Sequence, residues 1–335
     1  MFRSYGNVLI LSVGVVLLVC WAACSRKIAY PVTRTVDVVD DYHGTQVADP
    51  YRWLEDDHSD ETKVWVEAQN AVTFPYLKKI PQRKKIEERL TQLWNYEKYS
   101  LPSKEGGLYF FSKNDGLQNQ FVLYVQQSLD AEARMLLDPN TLSEDGTVAL
   151  TTTSVSEDGK NLMYGLSSGG SDWQEFRVRD IETGSDLKDR IEWVKFSGGS
   201  WSKDGKGFYY TRFPEPQEGE ELVGQNRFAK VYFHEVGTDQ SRDALIYEDA
   251  EHPDWLPIAG VTEDGKYLVL HIYQGTDRRN RIYYMKVDQS QKENVVKLLD
   301  DFDAGYQFIG NDDEIFYFQT DLDAPKGRVI VVDTR

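Results

Sequence analysis

One short phrase, Ser202-Lys203-Asp204-Gly205-Lys206-Gly207 followed by Phe208-Tyr209-Tyr210, recurs along the chain and narrows the folds open to it. Asp-Gly makes a tight turn, because glycine accepts positive φ and Asp bonds back to its own backbone. The aromatic run after it suits a pleated, half-buried surface. The phrase returns as Ser103-Lys104-Glu105-Gly106-Gly107 before Leu108–Phe111, and as Ser156-Glu157-Asp158-Gly159-Lys160 before Asn161–Tyr164. It occurs again as Thr262-Glu263-Asp264-Gly265-Lys266 before Tyr267–Leu270, and in reduced form as Asn311-Asp312-Asp313 before Glu314–Phe318. Successive starts lie about 53, 46, 60 and 49 residues apart, the interval of propeller blades. A β-sandwich with repeated turns is the competing reading.

A chain of 335 residues accommodates two domains or one large β-domain, and its 13% aromatic content leans towards β. The net charge of −17 excludes a nucleic-acid partner, since nothing here neutralises a run of phosphates. Both cysteines, Cys20 and Cys24, fall in the first 25 residues, so the remainder holds no disulfide and no cysteine metal site. No cofactor is indicated.

The first residues read as an export signal: Arg3, the apolar run Val8–Val19, then Trp21-Ala22-Ala23-Cys24-Ser25. Ala22-Ala23-Cys24 resembles a bacterial lipobox, which implies lipidation of Cys24, membrane attachment through it, and a periplasmic or envelope-anchored protein. An uncleaved anchor is the other reading, for which the segment is short.

Beyond an extended stretch, Ser59 caps a helix with Asp60 and Glu61 in its first turn. Pro81 opens a second, in which Ile86, Leu90, Leu93 and Trp94 share a face. Two amphipathic helices ahead of a β-repeat array have no evident partner within this chain.

These residues carry a resemblance. Asp41-Tyr42-His43-Gly44, Asp49-Pro50-Tyr51-Arg52-Trp53-Leu54-Glu55-Asp56, Trp65-Val66 and Ala68-Gln69-Asn70 resemble the opening of the prolyl oligopeptidase family of serine peptidases. The likeness continues through Leu136–Asn140, Ser143–Thr147, Gly170–Trp173, Val194–Ser197 and Gly237–Gln240, and covers essentially Tyr30 to Arg335. It implies an α/β-hydrolase domain built from an N-terminal arm and a long C-terminal segment, with a seven-bladed propeller between them. The expected fold is therefore mainly β: a signal over 1–24, a helical arm of the hydrolase domain over 25–95, and an incomplete propeller of about five blades over 96–335. The catalytic Ser, Asp and His would lie beyond Arg335, and the chain reads as the front portion of a longer peptidase, inactive alone.

Gly165-Leu166-Ser167-Ser168-Gly169 fits G-x-S-x-G, but a nucleophile elbow needs a helix after the serine. Here a Gly-Gly turn and an alternating strand follow, so Ser167 is read as a blade residue. The histidines (His43, His58, His234, His252 and His271) show no metal-ligand spacing and are read as ordinary surface or packed residues. One contact carries over from the family: Phe196 matches the propeller phenylalanine that lines the substrate pocket near the proline ring, where an aromatic face buries an apolar ring. Trp173 and Trp201 are expected to pack within blades.

The resemblance thus implies an exported serine endopeptidase that cleaves short proline-containing peptides, with the propeller gating access and the chain's own C-terminal hydrolase segment as its partner. A sister peptidase with basic-residue preference (oligopeptidase B type) and a non-catalytic propeller that binds a partner are the alternatives.

Overall fold

The computed structural model describes residues 28–57, 59–217, 219–221, 224–289 and 294–335; the leader, Cys24 and His58 lie outside them. The chain divides into two compact units, one ending at Leu93 and the other running Trp94–Arg335.

The first unit opens with a hairpin, β1 (Val39–Tyr42) and β2 (Thr45–Ala48). Its two-residue turn is His43-Gly44, at φ +55° and +89°, the backbone that a tight hairpin demands. Arg52, in the motif that follows, binds Asp49 at 2.6 Å and also Asp40 of the hairpin, which ties the two motifs together. Helix α1 (Asp60–Lys78) starts at Ser59, whose Oγ accepts from the Thr62 N–H at 3.2 Å. Helix α2 covers Arg83–Trp94, two residues later than Pro81 suggests, because Pro81 lies in the turn that enters it. No residue of α2 is buried: Ile86, Leu90 and Leu93 present an apolar row to solvent.

Among its described residues the second unit holds five antiparallel sheets in chain order. Blade 1 comprises β3 (Lys98–Tyr99), β4 (Ser103–Glu105), β5 (Leu108–Asn114), β6 (Val122–Gln126) and β7 (Arg134–Leu137). Blade 2 comprises β8 (Val148–Val155), β9 (Asn161–Ser168), β10 (Gln174–Asp180) and β11 (Asp186–Val194). Blade 3 is β12 (Gly199–Trp201), β13 (Gly207–Arg212), β14 (Lys230–Glu235) and β15 (Ala244–Tyr247). Blade 4 is β16 (Trp255–Val261), β17 (Tyr267–Gln274), β18 (Asn280–Lys286) and β19 (Val296–Leu299). Blade 5 has three strands, β20 (Tyr306–Asp312), β21 (Ile315–Thr320) and β22 (Arg328–Asp333).

The recurring phrase links the first two strands of a blade. Ser202 Oγ donates to Asp204 Oδ1 at 2.7 Å and accepts the Gly207 N–H at 3.3 Å, while Gly205 turns the chain at φ +68°. Ser156 with Asp158 and Asn161, and Thr262 with Asp264 and Tyr267, repeat these bonds. The first copy differs: with no Asp but two glycines, it becomes a β4–β5 hairpin turned by Gly106 and Gly107, both at positive φ.

Why the second strands are apolar runs and not alternating ones follows from burial on both faces. In β9, Leu162 and Tyr164 pack towards blade 1, while Met163 packs towards blade 3. In β13, Phe208 and Tyr210 join the core shared with blade 2, and Tyr209 the one shared with blade 4. Four such cores glue the five sheets. The sheets do not close on themselves: Tyr99 and Met135 on blade 1, and Ile309, Val329 and Val331 on blade 5, are exposed.

Candidate functional site

Phe196 stands two residues beyond β11, in the link to β12. It is 49% exposed while its neighbours Lys195 and Ser197 are buried, so the loop is anchored on either side of an outward aromatic ring. Its φ of +55° is a conformation that a bulky side chain rarely adopts. Trp193, just before, has φ +63°. Two such residues within four positions make this a constrained bend.

The anchors are specific. Lys195 Nζ lies 3.8 Å from the centre of the Trp173 ring and donates to Asn226 Oδ1 at 2.9 Å. Burial lowers its pKa from the ordinary lysine value, with Asp172 acting in the opposite sense. Trp173 packs edge-on to Trp193 and Phe213, with ring centres 5.6 and 6.4 Å away, and its indole N–H reaches the Glu221 carbonyl at 2.6 Å. Ser197 Oγ accepts the Thr211 N–H at 3.0 Å, fixing the far side of the bend to blade 3. A cavity of about 360 Å³ lies beside this cluster, lined by Trp173, Phe213, Pro214, Asn226 and Phe228. The arrangement presents an apolar ring, with the neighbouring Lys195 ammonium and Ser197 hydroxyl engaged as anchors.

Ser167 is placed as the sequence suggests. It pairs with Ala149 inside blade 2, is 7% exposed, and its hydroxyl donates to the Ser171 carbonyl. The glycines after it turn directly into β10, so the strand-to-helix bend of a nucleophile elbow is not formed here. Trp201 is buried in the core between blades 2 and 3, its N–H on the Ser154 carbonyl at 3.0 Å. Trp173 is only half-buried, and it serves the Lys195 anchor as well as packing.

Sequence reasoning missed two features. Lys195, Trp173 and Asn226 are far apart in the chain, and no spacing signals that they meet. The histidines also divide. His252 lies flat on Trp255 with ring centres 3.7 Å apart, and burial holds the pKa of His271 down to about 4. His234 is fully buried between two carboxylates, an arrangement that nothing in its strand pattern signals.

Consecutive antiparallel sheets, each sharing a core with the next and three of them carrying an Asp-Gly turn between their first two strands, define this class of protein as a β-propeller. The family model for the prolyl oligopeptidase N-terminal β-propeller domain matches residues 30–335, and the chain belongs to that family. It is 41% identical over 306 residues to a prolyl endopeptidase of Elizabethkingia meningoseptica, covering 91% of this chain and 43% of the relative. Prolyl oligopeptidase A of Amanita bisporigera is 36% identical, with 91% and 44% covered. The solved structure of prolyl oligopeptidase B from Galerina marginata, bound to a 35mer hydrolysis and macrocyclization substrate, superposes with TM-score 0.79 at 33% identity, covering 91% of this chain and 46% of that one. The chain therefore spans less than half the length of these relatives and corresponds to their N-terminal portion.

Proposed function

We propose that this chain is the substrate-gating portion of an exported prolyl oligopeptidase, a serine endopeptidase that cleaves short peptides after proline. The propeller selects by size, admitting thin unfolded peptides and rejecting folded proteins. Phe196 supplies an apolar face for a proline-bearing substrate, and the observation that supports this is its exposed, conformationally costly stance over a buried Lys195 anchor. Helices α1 and α2 belong to the hydrolase domain, whose C-terminal segment covers the exposed row of Ile86, Leu90 and Leu93 and supplies the catalytic Ser, Asp and His. In that chemistry an activated serine attacks the scissile carbonyl, and water releases the acyl-enzyme. Cys24 is the attachment point to the envelope.

The test is complementation. Residues 1–335 alone should release no chromophore from a Gly-Pro substrate. Adding the separately expressed hydrolase segment of the Elizabethkingia relative should restore cleavage after proline. Turnover by the chain alone, or restored cleavage that prefers arginine over proline, would overturn the reading.

A further inference from the structure

The blade 2–blade 3 joint contains a buried ionic device unconnected with Phe196's ring. The side chains of His234 on β14, Asp189 on β11 and Asp243 beyond β14 are each 0% exposed. His234 Nε2 is 2.9 Å from Asp189 Oδ1, and Nδ1 is 2.7 Å from Asp243 Oδ1. Asp243 Oδ2 accepts the Tyr210 hydroxyl at 2.6 Å, and Asp189 Oδ1 also accepts the Gly237 N–H at 2.5 Å. Gln240 then brackets the backbone of Glu192 on β11 from both sides, at 3.0 and 3.1 Å.

A neutral imidazole has one N–H and one lone pair. Here both ring nitrogens face carboxylate oxygens, so a neutral ring would aim a lone pair at an anion in a fully buried site. Only the doubly protonated ring satisfies both contacts while both acids stay ionised.

We propose that one buried proton, held on His234, joins blade 2 to blade 3, and that losing it releases strand β11, which leads into the Phe196 bend.

Burial by itself disfavours the charged ring, but Asp189 and Asp243 outweigh it and raise the His234 pKa to about 9. Burial likewise pushes Asp189 up, and His234 with the Gly237 N–H outweighs it, leaving that acid below its ordinary value. The titratable groups on the ring are Asp189 from β11 and Asp243 from the segment after β14, with the Tyr210 phenol from β13 on the other oxygen of Asp243. Arg212, further along β13, lies 4.4 Å over Tyr232. An imidazole whose pKa is higher folded than unfolded contributes its full stability below about 6.5, and loses it as pH rises through about 9. The joint is therefore firm at neutral pH and fails in alkali. A deprotonated ring keeps one N–H, so one of the two buried carboxylates loses its ring donor and faces a lone pair, a costly state.

The experiment uses residues 1–335. Urea unfolding should show the midpoint falling by about 1 M between roughly pH 7 and pH 10 in the wild type, and a nearly flat profile in His234→Gln. The His234 ring should titrate near pH 9 by NMR, and amides of β11 should gain exchange above that pH before those of β17. Asp243→Asn should lower the ring's titration midpoint by at least one unit. A ring that is neutral at pH 7.5, or equal alkaline loss in wild type and variant, overturns the proposal. Should His234→Gln not fold, the wild-type ring titration decides alone.

Discussion

The ammonium of Lys195 sits 3.8 Å from the centre of the Trp173 ring, so the exit of β11 and the entry to β10 are fastened together beside Phe196. A buried lysine needs compensation, and here the ring face and the Asn226 amide oxygen provide it. Lys195→Met keeps the apolar stem and removes the charge. The expected loss is about 2 kcal/mol in urea unfolding, the scale of a desolvated cation–π contact. Equal stability of the two proteins would show that the charge contributes nothing.

Turns of neighbouring blades touch as closely. A Cβ on Gly159 would lie 2.7 Å from the Gly106 carbonyl oxygen, and Gly159 also has φ +70°. Gly205 has nearly the same φ, +68°, but its nearest neighbour would be an Asp158 side-chain atom at 3.4 Å. Gly205→Ala should therefore cost about 1 kcal/mol from backbone strain alone. Gly159→Ala should cost about 3 kcal/mol or more, because the clash is with backbone. Thermal denaturation of the pair separates strain from contact, and equal costs would refute the blade-to-blade contact.

How far the sequence carried this picture depends on the reach of each signal. Asp-Gly turns and the apolar runs after them are local, so the positions of β9, β13 and β17 follow from the residues. The hydroxyls of Ser156, Ser202 and Thr262, at the head of each phrase, each accept the N–H that starts the next strand, a contact that the Asp-Gly signal does not reveal. The asymmetry of the Gly106-Gly107 copy was visible as composition, but its meaning needed the hairpin register. The exposure of Phe196 and its left-handed backbone depend on Lys195 meeting Trp173, 22 residues earlier in the chain. His234 is packed, as read, but the acids around it were not legible, because Asp189 is 45 residues away and no periodicity links them.

The turn hydroxyl gives a pH test. Lys206, 2.8 Å away, then the Ser202 hydroxyl and the Lys206 N–H, hold the Asp204 pKa down at about 2. A depressed carboxyl contributes stability above its unfolded value near 4 and loses it as pH falls through about 2. Ser202→Ala removes one donor, so the Asp204 carboxyl should titrate at higher pH in a carbon-detected NMR series. An unmoved midpoint would mean that Lys206 alone sets it.

Ser167 offers a negative control for chemistry. Its hydroxyl is committed to the Ser171 carbonyl within a strand pair. Ser167→Ala should cost about 1 kcal/mol of stability, the net value of one hydrogen bond. In an enzyme completed by a hydrolase segment, kcat should be unchanged. A loss of turnover of a hundredfold or more would reinstate it as a nucleophile.

Phe196 itself tests whether backbone strain is retained for function. A left-handed φ costs a residue bearing a Cβ about 1 kcal/mol, a penalty that glycine escapes. Its ring is half exposed, so truncation removes little packing. Phe196→Gly should therefore be more stable than Phe196→Ala by about 1 kcal/mol, the reverse of the order at an ordinary helix or strand position. Both variants lose the same aromatic face. If that face serves proline-bearing peptides, both should raise KM in the complemented enzyme to a similar degree, whatever their stabilities. A KM effect that follows stability instead would make Phe196 a structural residue, and unchanged KM in both would remove it from the substrate path.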